Sequence, residues 1–239
     1  MLSYSDSKLK SIEHVFFDLD RTLWDFETNS EATLNELYSE FELREKLGVL
    51  AVEFIREYKR INEIFWNDYR IGKIQKAELR YARFEATLKY FGLADRRIAS
   101  DFGELYISRS PRKKGLVSGA IEVLEYLKPK YQLHIITNGF DEVQHIKMES
   151  SGLDPYFQHV ITSEEAEAKK PSPVIYDYAA RKTGASASNS IMIGDHFEAD
   201  IVGAIDSGWK AVFFEPDKPR MNEPDFVHIL ELQELRGLL

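Results

Sequence analysis

Short apolar runs rich in aromatic and β-branched residues punctuate this chain. The first, HVFFDL, occupies His14–Leu19 and runs into acids; similar runs lie at Leu133–Thr137, His159–Thr162, Ile191–Gly194 and Ala211–Phe214. Continuous rather than alternating apolar character suits strands buried on both faces. Helical spacing fills the intervals. Ile121, Val123, Leu124 and Leu127 share one stretch that stops at Pro129, and a second runs from Glu142 towards Ser151 with Gly152 placed to end it. Ser172 followed by Pro173 is an N-cap with proline at the first helical position, Gly184 closes that helix, and Glu198–Ser207 is closed by Gly208. Strand and helix alternate from residue 115 onward, which predicts an α/β fold built on a doubly wound parallel sheet.

Residues 25–111 break the alternation. They carry helical patterns at Ala32–Leu47, Val52–Tyr69, Lys76–Phe91 and Arg97–Arg109, separated by turns at Gly48, Ile71-Gly72 and Gly92, with no convincing strand among them. The expected organisation is a core formed by residues 1–24 and 112–239, with a helical domain at 25–111 inserted after the first strand. Ser110-Pro111 and the basic run Arg112–Lys114 mark its exit as a solvated hinge.

Composition narrows the function. Of 239 residues, 44% are hydrophobic and 30% charged, enough apolar material for a sizeable core. Forty acids against 31 Lys and Arg leave a net charge of −9, which repels nucleic acid polymers and anionic membranes. With no Cys, thiolate zinc sites, iron–sulfur clusters and a Cys nucleophile are excluded. The N-terminus lacks the apolar segment of a signal peptide and no run is long enough to span a bilayer, so the expected location is the cytoplasm.

Ligands of open α/β sheets bind at the carboxyl ends of the strands. Three predicted strands end in distinctive polar groups: Asp18-Leu19-Asp20-Arg21-Thr22, Thr137-Asn138-Gly139, and Gly194-Asp195 with Asp200 near the following helix start. Lys169-Lys170-Pro171 precedes the Ser172 cap. Taken singly, each has an ordinary reading. Asp-x-Asp is a common turn pair, Thr-Asn is turn chemistry, Lys-Pro marks a helix boundary, and acids near a helix start complement its dipole. Their joint occurrence, in order and each at a strand end, argues for one site. Carboxylates gathered there call for a divalent cation, and hard oxygen ligands suit Mg²⁺. A carboxylate attacking a phosphate dianion needs the same cation and a Lys ammonium to offset repulsion, with hydroxyl and N–H donors on the equatorial oxygens. A second acid two residues on is suited to protonate the leaving oxygen and then deprotonate water.

FFDLDRTL, IITNG, KKPSP and MIGDHFEAD together resemble the four motifs of the haloacid dehalogenase superfamily of phosphohydrolases, over essentially the whole chain. The resemblance implies a Rossmann-like core with a helical cap inserted after the first strand. It makes Asp18 the nucleophile that becomes an aspartyl phosphate, Asp20 the general acid and base, Thr137 a phosphoryl ligand and Lys170 the charge-stabilising lysine. It places Mg²⁺ on Asp18, the Asp20 main-chain carbonyl and Asp195, with Asp200 in or near the ligand set. A narrower pattern, Trp66–Arg70 with Gly72, Arg83–Glu85, and Ile136–Phe140, is similar to bacterial house-cleaning pyrimidine 5′-nucleotidases. That implies a nucleoside monophosphate as the small phosphorylated substrate, touched by Thr137 and Asn138, with Trp24, four residues past Asp20, the aromatic placed to stack on the base. Phe26, Trp66 and Tyr69 are weaker candidates for the same role, and aromatics in a helical insert are mostly core. Arg21 and His196 depart from the residues common in the family and bear on specificity and loop geometry. The expected assembly is a monomer or homodimer. Alternatives within the superfamily are a phosphatase or phosphomutase acting on sugar phosphates, or a 2-haloacid dehalogenase. Asp20 argues against the last, because a departing halide needs no proton.

Overall fold

The computed structural model describes residue 9 and residues 11–221 and 223–239; the first residues of the expected core segment lie outside them. The elements run β1 (His14–Phe17), α1 (Phe26–Glu40), α2 (Leu43–Leu47), α3 (Ala51–Arg70), α4 (Lys76–Tyr90), α5 (Arg96–Arg109), α6 (Ala120–Leu127), β2 (Gln132–Thr137), α7 (Asp141–Ser151), β3 (His159–Thr162), α8 (Pro173–Thr183), β4 (Ser190–Gly194), α9 (Gly203–Asp206), β5 (Lys210–Phe214), β6 (Val227–Ile229) and α10 (Leu235–Leu238). The chain divides into two compact units, one formed by the chain up to Phe26 together with Lys114–Leu239, the other by Glu27–Lys113.

The first unit is built on one six-stranded sheet of order β3-β2-β1-β4-β5-β6, parallel throughout. Its strands are sandwiched, and the alternation is internal to the apolar runs. Val15 and Phe17 join one apolar cluster with Leu133, Ile135, Ile191, Ile193 and Val212, while Phe16 joins the other with Ile136, Met192, Ala211 and Phe213. Both clusters are buried, which is why these runs lack the polar–apolar alternation of a sheet with one solvated face. β1 is central, paired with β2 on one side and β4 on the other. The chain winds outward from β1 through β2 to β3, then crosses back to β4. The strand order therefore reverses beside β1, and a crevice opens past the carboxyl ends of β1 and β4.

Local signals act where the sequence places them. Ser172 Oγ accepts from the Val174 N–H with Pro173 at the first turn, and Gly152 and Gly184 end α7 and α8 in the left-handed conformation. Three features differ from expectation. β6 is a sixth strand, only three residues long, behind a stretch of acids and prolines. The helix expected over Glu198–Ser207 begins as a π-helical turn at Phe197–Val202 and only then becomes α9. The helix expected over Ala32–Leu47 is two helices, because Glu42 turns the chain at φ 50.

The second unit is helical throughout. Tyr58, Phe84, Phe102 and Tyr106 form its aromatic centre, with Tyr58 and Phe84 stacked at 5.3 Å. Arg83 is buried there and donates to Asn62 Oδ1 at 2.9 Å. The segments that leave the first unit and return to it are joined to each other. Asp25 N–H donates to the Gly115 carbonyl at 3.1 Å, Val117 N–H to that of Leu23 at 2.9 Å, and Trp24 bridges to Leu116.

One row of polar side chains crosses the sheet. His14, His134 and His159, on β1, β2 and β3, stack at 5.4 Å between successive rings, and His14 Nδ1 lies 3.2 Å from His134 Nε2. His134 is fully buried, with Nδ1 unpaired. Burial, reinforced by His14 and His159, pushes its pKa down from 6.5 to about 3. The unfolded chain thus takes up a proton that the folded chain refuses. Stability contributed by the neutral ring is present above about pH 6.5 and is lost progressively as pH falls from there towards 3. By pH 5 the loss from this residue is about 2 kcal/mol. Thermal unfolding at pH 8 and pH 5 should show the wild-type Tm falling further than that of His134→Gln, by roughly 4–8 °C; parallel declines would mean the ladder does not set the acid limit.

Candidate active site

The polar groups at the strand ends converge in the first unit. Asp18 follows β1 directly, and its N–H continues the ladder by donating to the Ile193 carbonyl at 2.9 Å. Its carboxylate is buried against Lys170, whose Nζ donates to Asp18 Oδ1 at 2.6 Å and to the Ile136 carbonyl at 2.7 Å. The same ammonium lies 2.6 Å from Asp200 Oδ1. Asp200 enters on the π-helical turn. Its other oxygen accepts from the His196 N–H at 3.0 Å, and the Tyr176 hydroxyl pins the turn by donating to the Ala199 carbonyl at 2.7 Å. Asp195, at the end of β4, completes the group. One carboxylate oxygen from each of Asp18, Asp195 and Asp200 lies within 4.8 Å of the others.

Electrostatics follow from that crowding. Burial raises the Asp18 pKa to about 7; Lys170 opposes the rise and Asp200 reinforces it. Asp195 is pushed well above the usual carboxylate range by burial first, then by Asp18 and Asp200, against the pull of Arg21 and Lys170. Burial pulls the Lys170 pKa down, but Asp18 and Asp200 outweigh it and raise it. Three carboxylates therefore share one buried ammonium. Hard oxygen donors with surplus negative charge fit a divalent cation such as Mg²⁺.

The remaining expected residues take distinct places. Thr137, at the end of β2, is buried; its Oγ1 accepts from the Gly139 N–H at 3.0 Å and from Gln144 Nε2 at 2.6 Å. Asn138 spends one side-chain N–H and one oxygen lone pair on Lys170, donating to its carbonyl at 2.9 Å and accepting from its N–H at 2.8 Å. That exchange fixes the loop carrying Lys170. The Asp20 carboxylate is gripped on both oxygens by Lys147 Nζ, at 2.6 and 2.8 Å, and Oδ2 also accepts from Gln144 Nε2 at 3.0 Å. Trp24 requires a correction. The expectation was a ring face offered to a base, but Trp24 is fully buried in a core cluster with the Lys147 ammonium 4.7 Å over its ring.

The unusual residues are also accounted for. Arg21 adopts φ 63 and sets its guanidinium 4.8 Å from the centre of the Phe26 ring. His196 caps the π-helical turn, its Nδ1 accepting from the Ala199 N–H at 3.1 Å in the manner of a capping hydroxyl. Sequence reading placed Thr22 in the polar group after the first strand without a role, and its Oγ1 donates to Asp195 Oδ1 at 3.4 Å; Gln144 and Lys147 were missed outright. The available signal was that Gln144 and Lys147 lie three residues apart and share one helix face.

A parallel sheet whose central strand leads into Asp18, with a helical insertion beyond it, a lysine between Asp18 and Asp200, and Asp195 beside them, defines a class of hydrolase. The family model for haloacid dehalogenase-like hydrolases matches residues 12–208, and the chain belongs to that family. It is 30% identical over 229 residues to pyrimidine 5′-nucleotidase YjjG of Escherichia coli K12, covering 94% of this chain and 96% of that protein. It is 31% identical over 205 residues to pyrimidine 5′-nucleotidase PynA of Streptococcus pneumoniae, covering 84% and 83%. Among solved structures, the HAD-hydrolase YfnB of Bacillus subtilis bound to magnesium superposes with a TM-score of 0.86 at 27% identity, covering 95% of this chain and 98% of that one.

Gly194 gives this geometry a direct test. A Cβ there would meet Asp200 Oδ2 at 2.3 Å and Cγ at 2.4 Å. Gly194→Ala must displace the Asp200 carboxylate, breaking its bond to the His196 N–H and its contact with Lys170. Overpacking of this kind costs roughly 1–3 kcal/mol. A Tm lowered by about 2–10 °C is expected; an unchanged melting curve would show that Asp200 is not held as described.

Proposed function

We propose that this protein is a phosphomonoester hydrolase that works through an aspartyl phosphate, with nucleoside 5′-monophosphates as its substrates. The observation that carries the reading is the division of labour between the two acids of the Asp-x-Asp pair. Asp18 is buried on the Lys170 ammonium at the end of the central strand, while Asp20 is turned away from it onto Lys147 and Gln144. One acid is placed to attack and the other to carry a proton.

In the first step an Asp18 carboxylate oxygen attacks phosphorus, the ester P–O bond breaks, and the departing alkoxide takes a proton from Asp20. In the second, Asp20 takes a proton from water as the water oxygen attacks phosphorus. The bond from phosphorus to Asp18 breaks, and inorganic phosphate leaves. Lys170 screens the approach of carboxylate to phosphate, and Thr137 donates its hydroxyl hydrogen to an equatorial oxygen. Asp18, Asp195 and Asp200, with the Asp20 main-chain carbonyl, would hold Mg²⁺. When bound, that ion supplies positive charge that offsets repulsion between the acids and the phosphate dianion.

The leaving group is assigned from the two nucleotidases that the chain matches at 30 and 31% identity. The helical unit, which carries Trp66–Arg70 and Arg83–Glu85, is the part we assign to substrate selection. With Trp24 buried, base selection falls to that unit rather than to the segment after Asp20.

Asp18→Asn should fold normally and retain less than about a thousandth of the phosphate release, since an amide cannot form the acyl phosphate. Measurable turnover in the purified variant would remove Asp18 as nucleophile. Chelation should abolish activity and added Mg²⁺ restore it; activity persisting after exhaustive EDTA treatment would mean that the acid cluster does not serve a metal. In a phosphate-release assay dUMP or dTMP should be preferred over ribose 5-phosphate by at least about tenfold in kcat/KM, the contribution expected of one stacked base. Equal efficiencies would leave the phosphatase reading and discard the nucleotidase one.

A further inference from the structure

Helix α7 reaches the two polar groups that the proposed chemistry needs to be aimed. Gln144 and Lys147, one turn apart on its inner face, are both buried. Lys147 Nζ sits between the Trp24 ring, 4.7 Å below it, and the Asp20 carboxylate, which it holds by both oxygens. A cation over an indole and against a bidentate carboxylate has little freedom to move. Gln144 Nε2 reaches Asp20 Oδ2 at 3.0 Å and Thr137 Oγ1 at 2.6 Å. Its amide orientation is fixed by charge, because the reverse would set Oε1 against a carboxylate. The Thr137 oxygen therefore accepts twice, from Gln144 and from the Gly139 N–H. A hydroxyl has two lone pairs and one hydrogen. With both lone pairs engaged, the hydrogen must point to a third group. Gly139 belongs to the same arrangement, since a Cβ there would meet Gln144 Nε2 at 2.2 Å.

We propose that Lys147 and Gln144 are positioning residues for phosphoryl transfer: Lys147 fixes the carboxylate of Asp20 on the line of the leaving oxygen, and Gln144 ties that acid to the hydroxyl of Thr137 and aims the hydroxyl's hydrogen at the phosphoryl group. The inference rests on the reading of Asp20 as proton carrier. It adds that Asp20 works only while α7 holds it, and that Trp24 is the floor beneath the holding cation.

The distinguishing readout is dependence on the leaving group. In the first step, which kcat/KM reports, a misplaced acid harms esters whose alkoxide must be protonated and spares those whose leaving group departs unaided; the second step, where Asp20 is the base, is common to both esters. Lys147→Met, Lys147→Arg, Gln144→Leu and Asp20→Asn are compared with the wild type on 4-nitrophenyl phosphate and on phenyl phosphate, with Tm measured alongside. Lys147→Met is expected to lose at least about tenfold more kcat/KM on phenyl phosphate than on 4-nitrophenyl phosphate, and Lys147→Arg to recover most of the difference. Gln144→Leu is expected to show the same imbalance and a raised KM for both esters, because Thr137 loses its aim. If Lys147→Met does not fold, Lys147→Gln, which keeps a donor and removes the charge, takes its place. Equal losses on the two esters, or none, overturn the inference when Asp20→Asn still shows the imbalance. If Asp20→Asn shows no imbalance, the proton-carrier reading falls and the inference falls with it.

Discussion

Two buried carboxylates, a third half-buried beside them and one buried ammonium, gathered at the mouth of a parallel sheet, set the terms for everything around them. Burial penalises each charge by several kcal/mol, and one lysine cannot neutralise three acids. The fold meets that penalty with geometry. Lys170 is held by the Ile136 carbonyl, its loop by Asn138, and Asp200 by the His196 N–H and the Tyr176-pinned turn. The surplus charge that remains is what fits the site to a divalent cation. Gly139, Gly194 and Gly203 have no room for a methyl group, and at the first two the obstructing atoms belong to Gln144 and Asp200, where the packing around these charges is tightest.

The sheet supplies the convergence at small local cost. Residues far apart in sequence reach one place because β1, β2 and β4 are adjacent and parallel, so their carboxyl ends coincide. Asp18 and Asp195 follow strands that pair directly, with Phe17 opposite Ile193. Thr137 ends the strand on the other side of β1. Nothing about the helical insertion is needed to bring these groups together. On the proposed reading, the insertion governs what reaches them.

Much of this was legible because each polar group ends an apolar run, and an apolar run is the plainest signal a chain offers. The sheet, the helices capped by Gly152 and Gly184, and the positions of Asp18, Thr137 and Asp195 follow from that pattern, while Lys170 is marked by its place before Pro171 and the Ser172 cap. What escaped was whatever depends on register across the molecule. Lys147 looks like any helical lysine until α7 is laid beside the loop carrying Asp20. His14, His134 and His159 look like unrelated strand residues until three strands are aligned. Trp24 was misread for the same reason: four residues from Asp20 along the chain is close, but the ring turns into the core. β6 was too short to register as a run, and Glu42 breaks a helix without the glycine that usually announces a break.

The joined segments around Leu23–Asp25 and Gly115–Val117 have a consequence for how such a chain can change. Because the outgoing and returning backbones bond to each other, the sheet unit sees the whole of Glu27–Lys113 as a single closed loop anchored at its neck. The entropy of closing a loop grows only with the logarithm of its length, so lengthening or shortening it alters the sheet unit's stability little. The insertion is thus a graftable module. A different helical domain spliced onto the same neck would inherit the acids, the lysine and the aimed hydroxyl intact. Recombination at that neck, in a genome or in a library, would trade selectivity while leaving the chemistry in place.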